Sequence, residues 1–172
     1  MFSKADHLAF ALFGTSLGWM GVVGSACGLK RVILPQKSKE AVLRQVMNCG
    51  CGVECQDIAL FGDLPYRLTR YFEGGSVGFP DRLDLGETTR FQQMVWQLVR
   101  TILYGETRSY GWVASRLGLP KAARAVGQAL GRNPLPIIIP CHRVINSDGE
   151  LGGFGGGLRL KEKLLRLEHA IV

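Results

Sequence analysis

The sequence predicts an α+β protein. A small N-terminal antiparallel sheet with helices, residues 1–85, precedes a mostly helical domain of helix-turn-helix, winged-helix-like kind, residues 86–172. Three observations carry this. Residues 8–34 alternate short apolar runs with glycine-bearing turns, the pattern of strands. From Phe91 onward apolar side chains recur at three- and four-residue intervals, the helical period. Between them, Phe79 to Leu85 is rich in Gly, Pro and Asp, as boundaries between domains are.

Taken in order, Leu8–Phe13 and Trp19–Val23 read as strands joined by a turn over Gly14–Gly18. Gly28 turns the chain into Leu29–Leu34, and Pro35 ends the sheet. The same Leu8–Val23 stretch is apolar enough to resemble an export signal, but its glycines, Thr15 and Ser16 fit strand-turn-strand better. Lys39–Met47 carries apolar residues at 42, 43, 46 and 47, a helix face. Ile58–Phe72 continues in helical style, interrupted near Gly62 and Pro65 and stopped by Gly74-Gly75.

In the second half, Phe91, Val95, Leu98, Val99 and Ile102 mark a helix closed by Gly105. Ser109 is an N-cap for a helix over Tyr110–Leu117. Gly118-Leu119-Pro120 turns into a helix over Lys121–Leu130 with Pro120 at its start, and the pair reads as a helix-turn-helix. A last helix spans about Leu158–His169, with Leu160, Leu164 and Leu167 inward and its lysines and arginines outward.

Charge is unevenly placed. Residues 1–89 hold nine Lys/Arg and nine Asp/Glu, a net of zero; residues 90–172 hold twelve and five, a net of +7. A basic domain beside a neutral one fits a polyanionic partner. No uninterrupted 18-residue apolar run suggests a membrane span. The five cysteines, an odd number with one beside a histidine, argue against a disulfide framework and for a reducing, cytoplasmic setting.

Chemistry concentrates in Pro140-Cys141-His142-Arg143-Val144, which follows the apolar run Ile137–Ile139. A thiolate is the nucleophile, and a neighbouring base raises its population. His142 is the nearest base, although adjacent residues of a strand point opposite ways, so contact needs a turn or a bridging water. Glu168 can orient the histidine; His169 is a rival base. Prolines at 134, 136 and 140 stiffen the approach, and Asn133 can cross-link the turn through its amide or form an ordinary Asx turn. The helix holding Ala122, Ala123, Arg124, Ala125, Gly127 and Ala129 has a small-residue face and one long cation. That face suits close approach to a minor groove with Arg124 inserted, or else tight helix packing. The glycines at 149, 152, 153 and 155–157 let backbone approach a flat ligand. Without a Gly-Lys-Ser/Thr ending or a βα lead-in they form neither a phosphate-binding loop nor a dinucleotide fingerprint.

Phe91 through Glu168 closely resembles the methylated-DNA–protein-cysteine methyltransferases, or O6-alkylguanine-DNA alkyltransferases. The resemblance rests on Pro140–Val144 with Asn133 eight residues before the cysteine, on Tyr104-Gly105-Glu106-Thr107, on Ser109-Tyr110, and on the Ala-Arg-Ala-Val helix. The first 85 residues resemble the family's variable domain more weakly, through Tyr71-Phe72-Glu73-Gly74. The resemblance implies a suicide repair protein: a monomer that flips O6-alkylguanine from double-stranded DNA and takes the alkyl group irreversibly onto Cys141.

By the same resemblance, His142 is the base acting through water, Glu168 its carboxylate, Asn133 the brace of the turn, and Tyr110 the group that reaches guanine N3. Arg124 fills the vacated base position, with Ala123, Ala125, Ala129, Gly127, Ser109 and Lys121 along the DNA. The carbonyls of Cys141 and Val144 accept from the guanine 2-amino group, and Pro136, Phe154, Gly155 and Gly156 wall the pocket. Gly155 stands where some relatives carry serine, which implies room for larger alkyl groups. The resemblance implies no cofactor, because the damaged DNA is the donor, and a location in the cytoplasm, nucleoid or nucleus.

Cys27, Cys49, Cys51 and Cys55, with His7 nearby, leave three readings open: a structural zinc, a disulfide, or free thiols. Three rival functions also stand: a damage sensor that binds without transfer, a methylation-responsive regulator, and a Cys-His-Glu hydrolase. The regulator lacks a further DNA-reading domain, and the hydrolase lacks an obvious oxyanion hole.

Overall fold

The computed structural model describes residues 8–48, 53–86 and 88–171, without the side chains of 53–55. The chain forms two compact units, 1–86 and 87–172. In the first, β1 (Leu8–Thr15), β2 (Gly18–Ser25) and β3 (Gly28–Gln36) make an antiparallel meander. A fourth strand, β4 (Val53–Gln56), pairs parallel to β1, giving the order β3-β2-β1-β4. The sequence reading did not find β4. Four residues containing a glutamate and a glutamine carry too little apolar alternation to announce a strand.

Pro35 lies inside β3 rather than after it. β3 is an edge strand, where a missing N–H costs no ladder bond. The other side of Leu29 is taken by Arg82 and Asp84: Leu29 N–H donates to the Arg82 carbonyl at 2.8 Å, and Asp84 N–H to the Leu29 carbonyl at 2.8 Å.

β1 is buried along its whole apolar stretch, which requires cover on both faces. Leu8, Phe10 and Leu12 meet Val23, Ile33, Val42 and Val46 in one core. Val42 and Val46 come from α1 (Lys39–Met47), whose N-cap Ser38 accepts from Ala41 N–H. A side chain at Gly21 would strike Val42 at 2.7 Å, so this glycine sets how closely α1 lies on the sheet. A 3-10 turn (Ala59–Phe61) leads to α2 (Leu64–Phe72), which buries Leu64, Leu68, Tyr71 and Phe72. Full burial of such side chains contributes about 1.5–3 kcal/mol each. Cys27 is a free, exposed thiol. His7, Cys49, Cys51 and the Cys55 side chain lie outside the described residues.

In the second unit, α3 (Arg90–Val99) opens with a Thr89–Gln92 capping box and buries Val95, Trp96 and Val99. It stops three residues before Ile102, which is nonetheless buried. α4 (Tyr110–Arg116) is capped by Ser109, whose Oγ accepts from Trp112 N–H at 3.0 Å. α5 spans Ala123–Gly131. Pro120 and Lys121 therefore precede α5 instead of opening it, because the backbone turns once more where Ala122 N–H donates to the Leu119 carbonyl. A short parallel pair, β5 (Arg108–Ser109) and β6 (Val144–Ile145), joins the start of α4 to the segment after Cys141. α6 (Leu158–Leu167) closes the chain. Among the described residues, no helix is long and apolar enough to cross a membrane.

Candidate active site

The segment from Asn133 to Val144 is held by its own side chains. Asn133 Oδ1 accepts from Leu135 N–H at 2.9 Å, and its Nδ2 donates to the Ile139 carbonyl at 2.9 Å and to Cys141 Sγ at 3.1 Å. One amide thus fixes the turn and touches the sulfur. Ile137 sits in the left-handed region with φ of 77°, a costly conformation for a β-branched residue. It persists because Ile137, Ile138 and Ile139 are buried.

Cys141–Arg143 forms a single 3-10 turn. This supplies the turn required between cysteine and histidine, and it sends both following side chains into the domain. His142 is fully buried, with Nε2 2.8 Å from Glu168 Oε1. A carboxylate only accepts, so the neutral ring carries its proton on Nε2 and its lone pair on Nδ1. Arg143 clamps the same carboxylate: Nε donates to Oε2 at 2.8 Å and Nη2 to Oε1 at 3.0 Å, while Nη1 reaches the Ile102 carbonyl at 2.6 Å. Gly105 N–H adds a longer contact to Glu168 Oε2 at 3.3 Å. Glu168 serves from the C-cap of α6 rather than from within it.

The electrostatics follow from burial and pairing. Burial would raise the Glu168 pKa, but the hydrogen bonds from His142 and Arg143 outweigh it and hold the carboxyl at about 2. Burial pushes His142 down against the pull of Glu168, so the ring is a neutral base. Burial pushes the Cys141 thiol up, opposed by Asn133, by the Lys161 charge and by nearby backbone N–H groups. The resting sulfur is a thiol, and the base beside it is unprotonated.

Lys161 overturns the expectation that the lysines of α6 face outward. It is fully buried. Its Nζ donates to the Val144 carbonyl at 2.6 Å, to the Leu151 carbonyl, and to the Gly153 carbonyl at 3.3 Å. The ammonium also lies 5.8 Å from the Tyr110 ring centroid. Burial lowers its pKa to about 8, while its three carbonyl partners favour the charged form. Lys161 ties the glycine loop to β6 beside Cys141. Lys161, Arg143 and the cavity-lining Gln128 and Asn146 are site residues to which the sequence pattern assigns no role.

A cavity of about 730 Å³ opens onto Cys141, within the ~300–1,000 Å³ usual for small-molecule sites. α5 supplies Ala123, Arg124, Gly127 and Gln128 on one side, with Leu130 and Gly131 beyond. Tyr110, Asn146, Gly153, Phe154 and Gly155 complete the lining. The Tyr110 hydroxyl is 3.5 Å from the Gly153 carbonyl, and Phe154 meets His142 edge-on at 6.4 Å.

Several expected residues fall elsewhere. Ala129 is buried, and its carbonyl accepts from Trp96 Nε1 at 3.1 Å, so it packs α5 onto α3 instead of facing a ligand. Pro136, Val144 and Gly156, expected to wall the pocket, do not line the cavity; Pro136 and Val144 are buried, and Ala125 is half-buried on α5. The Ser109 hydroxyl caps α4 by accepting from Trp112 N–H, a bond that does not use its own O–H donor. Lys121 and Arg124 are exposed, as contact with a polyanion requires. Among the described residues, no cluster of three or more His, Cys, Asp or Glu is arranged to hold a metal.

Residues 90–170 match the 6-O-methylguanine DNA methyltransferase, DNA-binding domain family. A methylated-DNA–protein-cysteine methyltransferase of Mycobacterium tuberculosis is 52% identical over 114 residues, 66% of this chain and 68% of that protein. One from Methanosarcina acetivorans is 40% identical over 159 residues, 92% of this chain and 97% of that protein. The crystal structure of Mycobacterium tuberculosis OGT in complex with DNA superposes with a TM-score of 0.77 at 39% identity, covering 94% of this chain and 93% of that one.

Proposed function

The chain belongs to the methylated-DNA–protein-cysteine methyltransferases, direct-reversal repair enzymes that take an alkyl group once onto a cysteine of their own; from that premise we propose that Cys141 is the acceptor and a flipped O6-alkylguanine the donor. One observation carries this reading: the Cys141 thiol lines a cavity whose other wall is the small-residue face of α5 with Arg124 exposed upon it. A stacked base cannot present its O6 substituent to such a thiol, so it must leave the helix. Flipping costs a few kcal/mol, and Arg124 is placed to fill the gap.

The chemistry then balances without a cofactor. The His142 Nδ1 lone pair takes the thiol proton through a water, and Glu168, ionised and clamped by Arg143, stabilises the imidazolium. The buried thiolate is assisted by the Lys161 charge and the Asn133 amide. Sulfur attacks the alkyl carbon in line; the S–C bond forms, the C–O6 bond breaks, and the electron pair passes to the base. The Tyr110 hydroxyl supports the charge that develops there, and the proton taken from sulfur ends on the released guanine. Nothing regenerates the thiol, which makes the reaction stoichiometric. The proposed working unit is one copy of the chain on duplex DNA, in a reducing compartment of the cell.

A duplex carrying one O6-methylguanine, mixed with slightly less than one equivalent of protein, tests this by intact mass and peptide mapping. The expected result is one added methylene on Cys141, restored guanine and no second turnover. Lesion binding with unmodified protein would instead establish a damage sensor.

A further inference from the structure

We propose that Gln128 contacts a stacked base pair next to the lesion, in the minor groove, and gives transfer a one-sided preference for G·C neighbours. This rests on the reading given above, in which duplex DNA lies on α5 and Arg124 fills the vacated position.

The cavity side of α5 carries two columns of side chains. Ala123 and Gly127, four residues apart, are small, and both line the cavity. A Cβ placed on Gly127 would lie 3.7 Å from Tyr110 Cε1, so this column already rests against the tyrosine ring. Arg124 and Gln128, also four residues apart, line the same cavity and are exposed. Val126, Ala129 and Leu130 turn the other way and are buried. Residues four apart share a helix face, so Gln128 stands one turn beyond Arg124, with Gly127 beside it leaving its carboxamide room to extend.

Attraction to a polyanion alone calls for another cation at this position. One turn before it is Arg124 and one turn after it, at the C-cap of α5, is Arg132; both are exposed. The residue between them is neutral and carries both an NH2 donor and an acceptor oxygen. Such a group adds little to phosphate attraction and matches the edges of bases, and glutamine is among the residues that read the minor groove.

One helical turn advances about 6 Å, and DNA rises about 3.4 Å per base pair. With Arg124 in the place of the flipped base, Gln128 therefore meets one of the two pairs next to it, on one side only. In the minor groove A·T and T·A pairs offer acceptors alone, whereas a G·C pair adds the guanine 2-amino donor. The carboxamide makes one hydrogen bond to an A·T neighbour, through its NH2. It makes two to a G·C neighbour, because its oxygen is used as well.

The test is single-turnover transfer, below saturation, from O6-methylguanine duplexes whose two neighbouring pairs on either side are G·C or hypoxanthine·C. Hypoxanthine removes only the 2-amino group. On one side of the lesion the wild-type protein should favour G·C about fivefold, the size of one net hydrogen bond, and on the other side by less than about twofold. The weaker pairing of hypoxanthine acts on every variant alike, so the change in this ratio on substitution is decisive. Gln128→Ala and Gln128→Met should both abolish the one-sided ratio; methionine keeps the length and the helix propensity and removes the hydrogen bonds. A ratio that persists in either variant overturns the proposal, even if all rates fall, because a steric or structural role slows every duplex alike. A wild-type protein that transfers but ignores the neighbouring 2-amino group, or responds equally on both sides, overturns it and leaves the Cys141 reading intact. Transfer from none of the duplexes overturns the Cys141 reading itself and Gln128 with it.

Discussion

Replacing Glu168 by glutamine tests the His142–Glu168–Arg143 cluster most directly. Glu168 is 1% exposed, and its carboxyl titrates at about 2 instead of 4.5. Each pKa unit corresponds to ~1.4 kcal/mol, so the ionised carboxylate contributes about 3 kcal/mol to the folded state. The folded pKa lies below the unfolded one. The contribution is therefore complete above pH 4.5 and disappears as pH falls towards 2. Glu168→Gln also leaves the Arg143 guanidinium buried without its counter-charge, a change that typically costs ~3–5 kcal/mol. Urea denaturation of both proteins at steps from pH 7 to pH 2.5 measures this. At pH 7 the variant should be less stable by about 3–5 kcal/mol, and the gap should narrow steadily below pH 4.5. A gap under about 1 kcal/mol at pH 7, or one that does not shrink with acid, would refute the buried-pair argument.

Asn133→Ala removes the brace from Leu135, Ile139 and Cys141 together; it should cost about 1–3 kcal/mol by urea denaturation and slow transfer. Arg124→Ala should leave stability within about 0.5 kcal/mol, as at other exposed positions. The same variant should slow transfer from duplex DNA on the order of tenfold to a hundredfold, the few kcal/mol of flipping, and affect transfer from a free alkylated base far less. Burial keeps His142 neutral below its ordinary pKa of 6.5. The transfer rate, followed by stopped reaction against pH, should therefore hold as pH falls through 6.5 and not drop at that value.

The catalytic turn was legible because its chemistry is local. Asn133, Cys141 and His142 lie within ten residues, and the structure joins them through one amide and one 3-10 turn. Helix periodicity likewise placed α1 and the Ser109 cap. Lys161 and Ala129 were misplaced for opposite reasons. Periodicity assigns a charged side chain to water and a small one to either face. The partners that draw Lys161 inward are backbone carbonyls of an irregular loop, which no sequence pattern announces. Ala129 faces Trp96 from another helix, a tertiary contact invisible from α5 alone. Arg143 stood in plain view within the motif, but its partner is 25 residues away.

The edges of the N-terminal sheet bear on how the protein behaves when concentrated. An unprotected strand edge is a template on which a second chain can add. Here Arg82 and Asp84 occupy the outer side of Leu29, Pro35 removes a donor further along β3, and the opposite edge is the four-residue β4. Among the described residues, these features shorten the stretch of either edge on which a second chain could add a strand.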